Sequence, residues 1–471
     1  MKVSFTPEIK TELGSLRGFI KPGNQNPVYC FYGIPYAEAP VGDLRWQDAQ
    51  EKHPWNGLLD CTAPLTEQKS SYQWGTELLP YFETLNQSED CLYLNITTPD
   101  LRPDSKLPVI VWFHGGGLFG GSGSEEIYNL PYLPEKGCVL VTVSTRLGAF
   151  GLLSSDILGS RAGTAHSGNF ILSDMLEALR WVKKNIAHFG GAPDNVTIAG
   201  ESGGSQKVSA IMTVPAAAGL FSKSIMQSGT ATTMTFEEAK QAGNQLMEKL
   251  GVDSASEARK LPAEFIVQAY NELEMMSDFI VDGYYLPMAP IDAFTAGRYC
   301  GCNVIMGVNA GEVDNILPIA GGLPGYLTIM NRLASDGFSA YAYVLDQVPA
   351  TWRTLGFQCV HSMDLAYLFG EYEDNSRFYS GGPWVQQFLF HGAGKNIDQA
   401  KFISPAMDKD DRWLSTCIME LWVSFAAHGV PHRSEVTWTR WTDTGEEYLL
   451  LSNSAAKLLY SKTGFGNLSP K

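Results

Sequence analysis

The 471 residues are 44% hydrophobic and 18% charged, a balance that excludes a disordered or fibrous chain. Fifty acidic side chains against 34 basic ones leave a net charge of −16, which repels phosphate backbones and anionic lipid heads. No run of Lys and Arg offsets that charge locally, so no nucleic-acid partner is expected, and the bland reading of the charge is solubility.

The N-terminal stretch MKVSFTPEIKTELGS has no apolar run of the length a signal peptide or membrane span needs. The expectation is a cytoplasmic protein with no membrane span, or a secreted one whose leader has been removed. Asn86 and Asn195 stand in glycosylation-type triplets, which arise often by chance. Eight cysteines are few for this length; Cys300 and Cys302 form a lone C-x-C without finger-spaced partners, so no metal site is expected and buried free thiols are preferred.

Along the chain, strand-like and helix-like segments alternate, the pattern of a mostly parallel sheet with helices on both faces. Leu107–Phe113 (LPVIVWF) is a continuous apolar run suited to a buried strand, and 139–144 is another. Leu172, Met175, Leu176, Leu179, Val182 and Ile186 recur at helical spacing until Gly190-Gly191 stops them. Residues 196–199 read as a short strand ending at Gly200, and 224–227 and 303–306 as two later ones. Thr235 with Glu238 three positions on has the form of a capping box, opening a helix through Leu250. From 313 to about 400 the periodicity weakens, and the stretch reads as an insertion covering a pocket. No repeat or linker divides the chain, so 1–471 is read as one domain.

Two segments carry chemistry. Gly200-Glu201-Ser202-Gly203-Gly204 is the chain's G-x-S-x-G, directly after a strand. A strand-to-helix elbow needs small residues around its Ser, because the turn has no room for side chains and pushes the hydroxyl out above the sheet. Taken alone, a solvent-facing glycine turn would look the same. His114-Gly115-Gly116-Gly117 follows the strand 107–113. Acyl transfer passes through a tetrahedral oxyanion that needs fixed N–H donors, and glycines leave their amides unshielded. A loop holding phosphate is the alternative; without a following Lys-Ser or Lys-Thr, a nucleotide P-loop is disfavoured.

With these segments in view the chain resembles the type-B carboxylesterase family, which includes the cholinesterases. The likeness runs nearly end to end. It covers Phe31-Tyr32-Gly33-Ile34-Pro35-Tyr36-Ala37, Pro40-Val41-Gly42, Leu44-Arg45, Ser88-Glu89-Asp90-Cys91-Leu92-Tyr93-Leu94-Asn95, Arg146-Leu147-Gly148, Phe189-Gly190-Gly191, Gln227-Ser228-Gly229 and Val281-Asp282-Gly283. The resemblance implies an α/β-hydrolase fold and a serine hydrolase that cleaves small-molecule carboxylic esters through an acyl-enzyme, without a cofactor. By the family's patterns Ser202 is the nucleophile, Glu312 the acid and His361, ahead of Asp364-Leu365-Ala366-Tyr367-Leu368-Phe369-Gly370, the base. The same patterns make the Gly116, Gly117 and Gly203 amides the oxyanion donors. Ser228 then hydrogen-bonds the acid, Glu201 is a buried supporting carboxylate, and Arg45 pairs with Glu89. Asp314, outside the acid's pattern, is read as a solvated loop charge, and His114 as structural.

Four features depart from the family. Position 203 is Gly where Ala is usual, and 175 is Met where Gln is usual. Cys91 matches half of a family disulfide, but Cys61 lies early for its partner. Glu312 and His361 stand only 49 positions apart, implying a thinner or more open pocket wall. Tyr81 stands where the cholinesterases use a Trp for quaternary ammonium, and Trp74 is too far back to match, so choline esters are not expected. Hydrolysis of amides, thioesters, carbamates or lipids at the same site, and a non-catalytic adhesion homologue, are the competing readings. Oligomeric state is not legible.

Overall fold

The computed structural model describes residues 4–73, 85–158, 167–276, 278–312, 322–354, 359–370, 407–442, 448–452 and 459–461. Among these, twelve strands form one sheet: β1 (Ser4–Phe5), β2 (Phe19–Lys21), β3 (Val28–Pro35), β4 (Tyr93–Thr98), β5 (Leu107–Phe113), β6 (Val139–Val143), β7 (Gly191–Glu201), β8 (Lys223–Gln227), β9 (Asn303–Asn309), β10 (Ala340–Asp346), β11 (Tyr448–Ser452) and β12 (Leu459–Ser461). Their spatial order follows the chain except that β6 lies between β4 and β5. From β6 through β11 every pairing is parallel, while the strands toward either edge pair antiparallel. This is the α/β-hydrolase arrangement.

Parallel strands need crossovers, and the crossovers bury both faces. The pleat shows it directly on β5. Val109, Val111 and Phe113 enter one apolar core with Leu172, Leu176 and Leu179 of α1 (Phe170–Asn185), while Ile110 and Trp112 enter the other. That second core is built with Leu365 and Phe369 of α2 (Met363–Phe369) and with Leu414, Ile418 and Trp422 of α3 (Lys409–His428). A central strand hydrophobic on both sides is why LPVIVWF has no polar alternation. The expected short strands are present, with 196–199 extended into β7, and Gly190 caps the turn after α1 in the left-handed conformation. Met175 is fully buried in the first core, consistent with a packing role.

The helix α4 (Phe236–Leu250) begins with the expected capping box: the Thr235 hydroxyl accepts the Glu238 N–H, and Glu238 returns to the Thr235 N–H. Of the stretch read as an insertion at about 313–400, the described part includes α5 (Gly322–Ser335), which leads into β10, and β10 pairs with β9 and β11 inside the central sheet. Residues 313–321 and 371–406 lie outside the described residues, as do Trp74, Tyr81 and Asp314. All eight cysteines are free, so Cys61 and Cys91, both buried, form no disulfide. The Arg45–Glu89 pair is present and bidentate, at 2.5 and 2.7 Å. No described helix is long and apolar enough to cross a membrane.

Candidate active site

Four parallel strands bring the site residues to one edge, because each ends where its functional segment begins. The register aligns Phe113 with Gly200, Glu201 with Gln227, and Gln227 with Gly307. The segments that follow are the glycine loop after β5, Ser202 after β7, Ser228 after β8 and the turn carrying Glu312 after β9. In open α/β sheets the carboxyl ends of the strands are where reactive groups converge.

Ser202 sits between β7 and α6 (Gly203–Ile211) with φ 55° and ψ −123°, a conformation costing about 1–3 kcal/mol for a residue with a side chain. The turn is held from both sides: the Ser202 N–H donates to the Gln227 carbonyl at 2.8 Å, and the Ser202 carbonyl accepts the Gln206 N–H at 3.0 Å. The glycines are a steric requirement. A Cβ on Gly203 would overlap the Gly117 carbonyl, and one on Gly204 the Phe113 carbonyl. Gly116 and Gly117 have φ of 87° and 64°, a region that favours glycine. Among the described residues no acceptor engages the N–H groups of Gly116, Gly117 or Gly203.

His361 arrives from the segment after β10, just ahead of α2. Its Nε2 lies 2.7 Å from Ser202 Oγ, and its Nδ1 lies 3.4 Å from Glu312 Oε1. Glu312 is buried, and its Oε1 accepts the Ser228 hydroxyl at 2.8 Å as well as the Asn309 side-chain amide. The Glu201 carboxylate approaches from the other side, 3.4 Å from His361 Nε2, and accepts the Ser362 hydroxyl at 2.8 Å. Burial disfavours a charged ring at His361, but Glu201 and then Glu312 more than offset it, lifting the pKa to about 9. Burial pushes Glu201 up to about 8 against the pull of His361.

All eight residues singled out from the sequence are thus placed at this edge. The structure adds Asp364, one turn past His361. It accepts the Gln227 amide at 2.6 Å, the Tyr343 hydroxyl at 3.0 Å and the Asn309 amide at 3.3 Å. Through Asn309 it shares a donor with Glu312. Its place in the segment after His361 was visible in the sequence; its link to Glu312 was not, because Asn309 and Tyr343 come from two different strands. Among the described residues, no cluster of His, Cys, Asp and Glu is arranged to hold a metal ion.

A profile of the Carboxylesterase family matches residues 6–322. The chain is 31% identical to the para-nitrobenzyl esterase of Bacillus subtilis (strain 168), over 93% of this chain and 94% of that one. It is also 31% identical to the fumonisin B1 esterase of Sphingopyxis macrogoltabida, over 90% and 83%. A solved PNB esterase structure superposes with a TM-score of 0.78 at 25% identity, covering 98% of each chain. A Geobacillus stearothermophilus carboxylesterase gives 0.77 at 26% identity, over 98% and 99%. With a matching fold and near full-length likeness to esterases, this chain belongs to the carboxylesterase family.

Proposed function

We propose that this carboxylic ester hydrolase works through an acyl-enzyme on Ser202, with His361 as general base and Glu312 as the acid that orients it. The observation that carries the reading is the 2.7 Å contact of Ser202 Oγ with His361 Nε2 while the opposite ring nitrogen faces Glu312. His361 takes the hydroxyl proton as Ser202 attacks the ester carbonyl, then returns it to the leaving alcohol; water repeats the sequence to release the acid. Glu312 favours the Nδ1–H tautomer and the imidazolium that forms. The N–H groups of Gly116, Gly117 and Gly203 receive the oxyanion. Ser228 fixes Glu312, and Glu201 stands beside His361. The substrate is a small-molecule ester; the relatives' names, para-nitrobenzyl esterase and fumonisin B1 esterase, support that class.

Ser202→Ala tests this. The variant is expected to fold and to lose roughly 10⁴–10⁶ in kcat on p-nitrophenyl esters. A fluorophosphonate should add a single mass to the wild type, on Ser202, and none to the variant. Labelling of a different serine, or near-full activity in Ser202→Ala, overturns the assignment. A series of p-nitrophenyl esters of rising chain length then sorts an esterase from a lipase.

A further inference from the structure

Lys207 is a buried lysine that the ester chemistry above does not use. It lies on α6, five residues past Ser202, and is 0% exposed. Its Nζ donates to the His114 carbonyl at 3.1 Å and lies 3.3 Å from His114 Nε2. His114, itself fully buried, places its Nδ1 2.8 Å from the carbonyl of Gly115.

These contacts leave one protonation state for the ring. A carbonyl oxygen only accepts, so Nδ1 carries the hydrogen and donates to Gly115. Burial keeps the ring neutral, so Nε2 carries no hydrogen and accepts from the Lys207 amino group, which has N–H donors whether charged or not. The ring is therefore the neutral Nδ1–H tautomer. Its environment agrees: burial first, and the Lys207 charge second, hold His114 well below its ordinary pKa. Burial lowers Lys207 to about 7, with Glu125 opposing the fall from the loop beyond the glycine run. Glu125 is held there by the Ser122 N–H at 2.9 Å.

The Gly115 carbonyl and the Gly116 N–H belong to one peptide plane. The peptide is trans, as is every described bond, so the N–H points opposite to the carbonyl. Fixing the carbonyl toward His114 fixes the N–H on the far side. The peptide lies beside the nucleophile's elbow: a Cβ on Gly115 would lie 3.5 Å from Ser202 Cβ and 3.0 Å from a Glu201 carboxylate oxygen. Gly121 closes over the junction from behind, where a Cβ would lie 2.5 Å from His114 Nδ1 and 2.6 Å from the Gly115 carbonyl.

We propose that Lys207 is a positioning residue: through His114 it locks the Gly115–Gly116 peptide so that the Gly116 N–H is held toward the oxyanion. The relay rests on the oxyanion assignment above and adds to it what keeps that peptide from flipping.

Two measurements test the relay. In wild-type protein labelled with ¹⁵N-histidine, His114 is expected to show a protonated Nδ1 and an unprotonated Nε2 from pH 6 to 9. A cationic ring, or the Nε2–H tautomer, overturns the proposal without any variant. In Lys207→Met, a side chain of similar length that cannot donate, kcat is expected to fall roughly 10- to 100-fold with KM little changed. A trifluoromethyl ketone, whose adduct on Ser202 carries the oxyanion, should lose affinity in the same proportion. A purely structural role would lower Tm while leaving the ketone's affinity intact, and that result refutes the relay. Failure of the ketone to add to Ser202 even in the wild type refutes the oxyanion reading beneath it. If Lys207→Met does not fold, the wild-type tautomer decides.

Discussion

In the proposed mechanism His361 must be neutral to take a proton, so its pKa should set the low-pH limb of activity. An unperturbed histidine would place that limb near 6.5. The structure moves it up, because two carboxylates face the ring: Glu201 and Glu312 overcome burial and lift His361 to about 9. A raised pKa means a smaller neutral fraction at pH 7, so kcat/KM should keep rising from pH 7 to about 9 before levelling. Glu201 and His361 titrate as a pair, so the limb reports both. Removing either charge lowers the ring's pKa: Glu312→Gln and Glu201→Gln should both move the limb to lower pH. Only Glu312→Gln should also lose most of kcat, because it holds the ring by Nδ1. A limb that stays near 6.5 in the wild type and does not move in Glu201→Gln would show that Glu201 does not act on His361. The sequence indicated the sign of the Glu312 effect, since the resemblance put the acid beside the base. It could not indicate the size, because the approach of Glu201 to His361 Nε2 depends on how the segment ahead of α2 meets the end of β7, where Ser362 bonds Glu201.

Elements were legible wherever local chemistry decided them. The capping box at Thr235, the glycine stop after α1 and the apolar run of β5 each follow from side chains within a few positions of one another. What was illegible is how closely two segments approach. Position 203 carries glycine where the family usually has alanine, a difference that reads from sequence only as added backbone freedom. In the structure the glycine loop lies directly on the first turn of α6, and a Cβ at 203 would overlap the Gly117 carbonyl. Gly203→Ala therefore keeps the N–H but displaces the loop that carries the two other proposed oxyanion donors. Overpacking of this kind costs about 1–3 kcal/mol, and losing a well-placed oxyanion donor costs about 10²–10³ in kcat. The variant should show a lower Tm and a kcat reduced by up to about 10²-fold, with Ser202 still labelled by fluorophosphonate. Wild-type kcat and Tm together would mean the loop and the elbow are less tightly joined than their contact indicates. β10 was hidden for a related reason. Tyr341 and Tyr343 pack on a face covered by Trp422 and Trp438, so an aromatic-rich stretch that reads as a pocket wall supplies a central strand.

At the scale of the molecule, the sheet's order is nearly the chain's order, which is why alternating strand and helix signals sufficed to reach the fold class. Charge acts at the same scale. Fifty acidic and 34 basic residues give −16, a field that reaches about 8 Å at physiological ionic strength and further at low salt. It attracts cations toward the surface whether or not the site has a pocket for them. A cationic ester should therefore reach Ser202 faster at low salt than its neutral isostere. On raising the salt from about 10 mM, where the screening length approaches 30 Å, to about 1 M, where it is near 3 Å, kcat/KM for the cation should fall. The same change should leave the neutral ester's value nearly constant. The effect belongs to association, so it should appear in kcat/KM and be absent from kcat at saturation. An equal response of the two esters would show that the negative charge lies away from the site's entrance. A cation-specific loss in kcat itself would place a carboxylate at the bound alcohol group, with Glu201 the first residue to test.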